Sequence, residues 1–288
     1  MYQAGLILEG GGMRGLYTAG VLDYFMDINL EFKEVYGVSA GACNACSYLS
    51  KQRGRSLRVN TEYLDDPRYC GLESLIRTGD LFGVDMLYDI IPNELDPYDY
   101  ETFAEYPGKA YAVTTNCETG KAEYMELQDM HRDILAVRAS SSLPMVSRMV
   151  EIQGYHYLDG GISDSIPVIQ SMKNGNQKNV VVLTRDPSYR KEPSKTMAAF
   201  RMRYSKYPNL IRQMEHRHIR YNRTLDFLKK GEEAGKIFVI QPQKPVEIAR
   251  IEKNKEKLKE LYEIGYEEAR NLHGEQKDMA VKPEYFSF

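Results

Sequence analysis

Leu6-Ile7-Leu8-Glu9-Gly10-Gly11-Gly12-Met13-Arg14-Gly15 is the stretch that decides the fold. The apolar run from Ala4 to Glu9 passes straight into a glycine turn. Apolar residues then recur at helical spacing at Leu16, Ala19, Leu22 and Phe25. Buried strand, tight turn and helix in that order open a parallel strand–helix–strand unit. Phe32 to Tyr36 reads as the second strand, and Gly37-Val38-Ser39-Ala40-Gly41 follows it, with Ala40 to Leu49 as a second helix rich in small residues. A G-x-S-x-G run holds its serine on a sharp strand-to-helix turn, with the hydroxyl open to a substrate. Free N–H groups in the preceding glycine loop can meet a developing negative charge. Together the two turns predict a nucleophile and an oxyanion hole, and so cleavage of acyl esters.

The rest of the chain extends the same pattern. Lys109 to Thr115 and Ala122 to Leu127 read as strands joined by Glu118-Thr119-Gly120, with a helix from Met130 to Ala139 after them. Tyr155 to Leu158 is a short strand ending at Asp159-Gly160-Gly161, Asn179 to Thr184 is a buried strand, and Lys236 to Gln241 is the last. The fold class is α/β, with three α/β/α layers and a mostly parallel central sheet covered on both faces. Residues 51 to 108 carry many Pro, Gly and Asp breakers, with short helices near Glu73 and Tyr100. They read equally as a substrate-shaping cap or as plain connection.

Residues 1–190 are expected to form the core, and residues 191–288 a mainly helical extension packed on it, with the strand near 236–241. Within the extension Ile211, Met214, His218, Tyr221, Leu225 and Leu228 form a helical stripe preceded by Pro208. Residues 201 to 230 hold nine Lys or Arg against two acidic residues. Such a stretch could lie on an anionic membrane, although a helix packed on the core with a solvated basic face is the favoured reading. Ile248 to Leu272 reads as a second, mixed-charge helix.

Composition bounds the rest. At 288 residues, 42% hydrophobic and 27% charged, the chain can bury a large core, and a net charge of -3 points to no nucleic acid or other charged partner. Four cysteines do not make a disulfide scaffold, and Cys43 and Cys46, spaced as C-x-x-C, read as small core residues. No second C-x-x-C completes a zinc site, so neither metal nor cofactor is expected. No secretory signal and no run of about 18 apolar residues is visible, which sets a reduced, cytoplasmic location as the expectation, with peripheral membrane contact through the basic stretch as its extension. The oligomeric state is not readable.

Gly10-x-Gly12-x-x-Gly15 also fits the dinucleotide fingerprint, with Glu31 and Glu34 about 20 residues on, where a ribose-binding acid would sit. Against that rival, the second strand runs into a serine turn. A serine also needs a base. His131, His216, His218 and His273 lie in expected helices with polar neighbours, and His156 is a strand residue roughly 10 Å from Asp159. Asp159 is the better candidate, because it stands where a strand gives way to two glycines, at the edge where open parallel sheets bind ligands.

With these residues in place the chain resembles the patatin-like phospholipases, serine acyl hydrolases that use a Ser-Asp dyad. Gly10-Gly11-Gly12-Met13-Arg14-Gly15, Gly37-Val38-Ser39-Ala40-Gly41, Ala139-Ser140-Ser141-Ser142-Leu143-Pro144 and Asp159-Gly160-Gly161 agree in order, over about residues 4 to 190. More narrowly, the chain is similar to bacterial members with a helical C-terminal extension. The resemblance implies Ser39 as nucleophile, Asp159 as general base, and the N–H groups around Gly11, Gly12 and Met13 as oxyanion hole. Gly10, Arg14, Gly15, Gly37, Gly41, Gly160 and Gly161 complete the motifs. Arg14 either ties down the glycine loop or is an ordinary charge in a first helical turn. Ser140 to Ser142 and Pro144 are expected to wall the site without a catalytic role. The implied substrate is a lipid or other ester. A dinucleotide-binding oxidoreductase, and an acyltransferase or lipid-binding protein on the same fold, are the alternatives.

Overall fold

The computed structural model describes residues 1–278. In chain order β1 (Tyr2–Leu8), α1 (Leu16–Asp27), β2 (Phe32–Val38) and α2 (Ala40–Leu49) form the opening unit. The connecting region holds α3 (Arg55–Thr61), α4 (Leu72–Thr78), a π-helical segment Met86–Leu95 and α5 (Tyr100–Ala104). Then come β3 (Lys109–Asn116), β4 (Ala122–Leu127), α6 (Met130–Ser140), β5 (Val150–Ile152), β6 (Tyr155–Asp159), α7 (Val168–Lys173) and β7 (Asn179–Val182). The chain continues through α8 (Met197–Arg203), α9 (Pro208–Glu233), β8 (Ile237–Ile240) and α10 (Lys255–Asp278). Residues 279–288 of the expected extension lie outside the described residues.

The strands make one sheet in the order β5-β6-β3-β2-β1-β7-β8, with β4 also paired to β3. From β3 through β2, β1 and β7 to β8 every pairing is parallel, whereas β4, β5 and β6 pair antiparallel. Successive side chains of a strand face opposite ways. Leu6 and Leu8 of β1 and Val180 and Val182 of β7 therefore enter the core on one face, and Ile7 and Val181 the core on the other. Helices α1, α2 and α10 cover the first face, while α7 and α9 cover the second through Val168, Tyr221 and Leu228.

Two registers matter for function. Leu8 stands opposite Gly37, so the glycine turn after β1 and the serine turn after β2 leave the sheet side by side. β4 occupies one edge of β3 from Ala110 to Thr115, which leaves β2 and β6 to share the other edge. β2 uses it as far as Val38, opposite Val113, and β6 takes it up at Asp159, opposite Thr114. The residue after Val38 is Ser39. Pairing with a common strand thus sets Ser39 and Asp159 end to end.

The C-terminal part is bound closely into this frame. A Cβ on Gly20 of α1 would stand 2.0 Å from the Tyr262 carbonyl oxygen, and one on Gly265 of α10 would stand 2.1 Å from that of Tyr17. Only glycine lets the two helices approach so closely. Tyr17 and Tyr262 then donate across the contact to Glu268 and Asp23, at 2.8 and 2.6 Å. The expected helix from Ile248 begins instead at Lys255, because the Asn254 side chain accepts from the N–H groups of Glu256 and Lys257 and caps it there. Ile248 and Ile251 continue the apolar spacing, but they belong to a strap that crosses toward the glycine loop.

Candidate active site

Ser39 has φ 55° and ψ −125°, an unfavourable backbone for a residue with a Cβ, and one that such turns hold only by surrounding contacts. The contacts are specific. Its N–H donates to Ser140 Oγ at 2.9 Å, and its carbonyl accepts from the Ala42 N–H at 2.8 Å. Gly37 packs against Ala42, and Gly41 against the Leu8 and Glu9 carbonyls, so the two flanking glycines let strand, turn and helix close on one another.

Asp159 is buried at the end of β6. Its N–H donates to the Ser142 carbonyl at 2.9 Å, and its Oδ1 accepts from the Gly161 N–H at 2.7 Å. The end of α6 therefore fixes both chain segments, Ser39 through Ser140 and Asp159 through Ser142. Oδ2 is buried with no hydrogen-bond partner among the described residues. Burial pushes the carboxyl above the usual carboxylate range, and the Ser39 hydroxyl, Arg217, the Gly161 N–H and Arg250 each pull it back. The Ser39 hydroxyl is near enough to act on the carboxyl, although no hydrogen bond of full geometry joins them. Catalytic contacts are often loose before substrate arrives.

The glycine loop lies beside them, with Gly10 against the Ser39 side chain and the Gly15 carbonyl accepting from Asn44 Nδ2 at 2.7 Å. Gly12 has φ +59°, and a Cβ there would stand 2.6 Å from the Arg250 carbonyl oxygen. Both facts demand glycine. The Met13 N–H donates to that same carbonyl at 3.1 Å, whereas the Gly11 and Gly12 N–H groups have no acceptor among the described residues. Arg14 Nη1 donates to the Ile248 carbonyl at 3.3 Å, and the Glu252 N–H meets Met13 Sδ at 3.0 Å. The strap from Ile248 to Glu252 thus lies across the loop. Burial, with Arg185 next, pushes the Arg14 guanidinium down to about 10.

Two cavities meet at Ser39, and both are bounded by Gly12, Ser39 and Leu143. One is largely apolar and runs between α2 and the connecting region, lined by Val59, Tyr69, Phe82, Leu87 and Tyr88. Residues 51 to 108 therefore shape a cavity at the serine. The other is polar and holds Asp159 and the glycine loop together with Glu9, Lys191, Arg217 and Arg250.

No histidine lines either cavity. His156 pairs with Glu118 at 2.9 Å, His131 stacks on Tyr100, His216 meets the Arg212 carbonyl, His273 meets the Tyr24 hydroxyl, and His218 lies in α9. Glu31 and Glu34 stand toward the opposite end of β2. Glu31 pairs with Lys51, and Glu34 accepts from Tyr36 and Asn176, so neither can meet a ribose at the glycine turn. Cys43 and Cys46 are free thiols, Cys43 lining the apolar cavity and Cys46 buried in the core, and burial pushes both up. Among the described residues no cluster of three His, Cys, Asp or Glu is placed to hold a metal ion.

Several site residues carried no signal as isolated letters. Ser140 was read as wall, and Lys191 and Arg250 stand in no motif. Arg217 was hidden in the basic run of α9, yet its Nε donates inward to the Gly161 carbonyl, and Arg220 donates to the Ile162 carbonyl at 2.8 Å. The basic face of α9 is in part turned into the protein, not wholly solvated.

The comparisons agree with this architecture. The patatin-like phospholipase profile matches residues 6–172, and a profile described as a domain of unknown function, DUF6363, matches residues 207–280. The chain is similar to YjjU of Escherichia coli (strain K12), with 31% identity over 267 residues, covering 90% of this chain and 74% of that protein. It is similar to YqhO of Bacillus subtilis (strain 168), with 24% identity over 280 residues, covering 88% and 96%. Lysophospholipase nte1 of Aspergillus terreus (strain NIH 2624 / FGSC A1156) shows 27% identity over 175 residues, covering 57% of this chain and 11% of that one. The chain belongs to the patatin-like phospholipase family.

Proposed function

We propose that this protein hydrolyses carboxylic esters of lipids, with Ser39 as nucleophile and Asp159 as general base. Family membership and the relative named as a lysophospholipase support lipid ester hydrolysis in general. One observation carries the finer reading. A serine on a strained turn stands beside a buried carboxylate whose Oδ1 is fixed and whose Oδ2 is unpartnered.

Oδ2 takes the hydroxyl proton as Ser39 Oγ attacks the ester carbonyl. The Gly11 and Gly12 N–H groups receive the oxyanion, a contribution of about 10²–10³ in rate for each donor. Met13, whose N–H is already engaged by the Arg250 carbonyl, anchors the loop. Collapse of the intermediate expels the alcohol, which takes the proton from Asp159, and water activated by the same carboxylate then releases the fatty acid. The apolar cavity suits the acyl chain.

Hydrolysis of a long-chain ester by wild type, Ser39→Ala and Asp159→Asn tests the reading. Each variant is expected to lose about 10³-fold or more in kcat while keeping its circular dichroism and melting temperature. Near-wild-type turnover by folded Asp159→Asn would refute the dyad.

A further inference from the structure

The polar cavity at Ser39 has a charge that ester hydrolysis does not need. Arg14, Arg185, Lys191, Arg217 and Arg250 face it, against Glu9 and Asp159 alone. None of the five cations is ion-paired among the described residues. Glu9 favours the charged forms of Arg14, Lys191 and Arg217 but is one carboxylate among five cations, and it forms an ion pair with none of them. Its oxygens accept from the Thr184 N–H at 2.8 Å, the Thr184 hydroxyl at 3.1 Å and the Tyr221 hydroxyl at 2.6 Å, all neutral donors. Asp159 is stabilised by Arg217 and Arg250 as well as by the Ser39 hydroxyl, and with Glu9 it leaves the positive charges in excess. Lys191 lies 4.1 Å from the centroid of the Tyr221 ring, and burial, with Arg217, Arg250 and Arg14, outweighs Glu9 and pushes its ammonium down to about 7. Crowding like charges in a half-buried space is unfavourable unless an anion offsets it.

We infer that this cationic chamber receives the phosphate monoester headgroup of a glycerolipid whose ester-linked acyl chain lies in the apolar cavity. The inference rests on the hydrolase reading for the placement of the ester at Ser39. Guanidinium groups match phosphate oxygens in paired hydrogen bonds, and three of the chamber's arginines come from positions the sequence motifs do not reach. A choline or ethanolamine cation on the phosphate would be repelled by the excess positive charge, and an uncharged glycerol would leave that charge unanswered. The serine stands where the two cavities join, as a carbonyl between an acyl chain and a phosphorylated glycerol requires. Arg185, Lys191, Arg217 and Arg250 all lie beyond residue 172, where the patatin-like match ends. The C-terminal part thus selects the headgroup for a nucleophile supplied by the N-terminal part.

The test separates binding from turnover. Calorimetry with Ser39→Ala protein would compare three monoacyl lipids of one chain length below their micelle concentrations: a glycerol 3-phosphate, a glycerophosphocholine and a plain glycerol ester. The phosphate lipid is expected to bind at least about tenfold tighter than either other lipid. Adding Arg250→Gln should weaken the phosphate lipid about tenfold and the glycerol ester much less. This variant keeps the Arg250 backbone carbonyl that holds Met13, and its side chain is exposed. Lys191→Met gives a second, independent perturbation. Equal binding of the three lipids, or binding of none, overturns the inference. So does inorganic phosphate binding as tightly as the phosphate lipid, which would mark a site for free anions. Wild-type turnover is read separately. Equal binding with hydrolysis of all three defeats the chamber and leaves the hydrolase standing, whereas preferential binding of the phosphate lipid with no hydrolysis does the reverse.

Discussion

The burial of Asp159 has a kinetic consequence. Burial raises its pKa, and only the ionised carboxylate can take the Ser39 proton, so activity should fall as pH drops through the raised value. The acid limb of kcat/KM is expected above the ordinary aspartate value of about 3.9. Arg217 stabilises the carboxylate, so Arg217→Gln should move the limb to still higher pH. A limb at or below the ordinary value, or a shift to lower pH in that variant, would refute Asp159 as base. Ser140 acts one step away. Without its Oγ the Ser39 N–H is buried with no acceptor, a loss of about 1–3 kcal/mol at the strained turn. Ser140→Ala should therefore lower kcat more than it changes KM and leave the acid limb where it is. A change in KM alone would assign Ser140 to the wall and not to positioning.

At the scale of elements, the α1–α10 contact is the part most sensitive to a single methyl group. Gly265→Val would drive a branched side chain into the Tyr17 carbonyl. A loss of about 3 kcal/mol or more in urea unfolding is expected, at the top of the overpacking range; a loss under 1 kcal/mol would mean the helices can separate without cost. The opening strands and α1 were readable in the sequence because unbroken apolar runs and a 3.6-residue spacing are local signals. The role of α10 was not. Gly265 matters only against the Tyr17 backbone, and Tyr262 and Tyr266 find their partners only when Asp23 and Asp27 of α1 are set opposite them. The start of α10 was misread for a similar reason. Ile248 and Ile251 are apolar because these two side chains of the strap pack on the core, and the cap at Asn254 was the signal that counted.

Over the whole molecule, what the motifs marked and what they missed divide at the same place. The glycine loop, the serine turn and Asp159-Gly160-Gly161 were all readable, because each is a backbone device with a compact signature. The cationic chamber was not, because its side chains come from scattered positions, 185, 191, 217 and 250, that only the sheet and α9 gather. Ser140 fell between the two: its run was noticed, but its bond to the Ser39 N–H depends on how α6 ends.

The most direct test of the account asks whether Ser39 is activated, and by Asp159. Wild-type and Asp159→Asn proteins would each be treated with a fluorophosphonate probe and the modified peptide located by mass spectrometry. The account predicts one adduct per chain, on Ser39, in wild type, and labelling slowed by orders of magnitude in folded Asp159→Asn protein. Labelling of another serine, or equal rates in the two proteins, would contradict it.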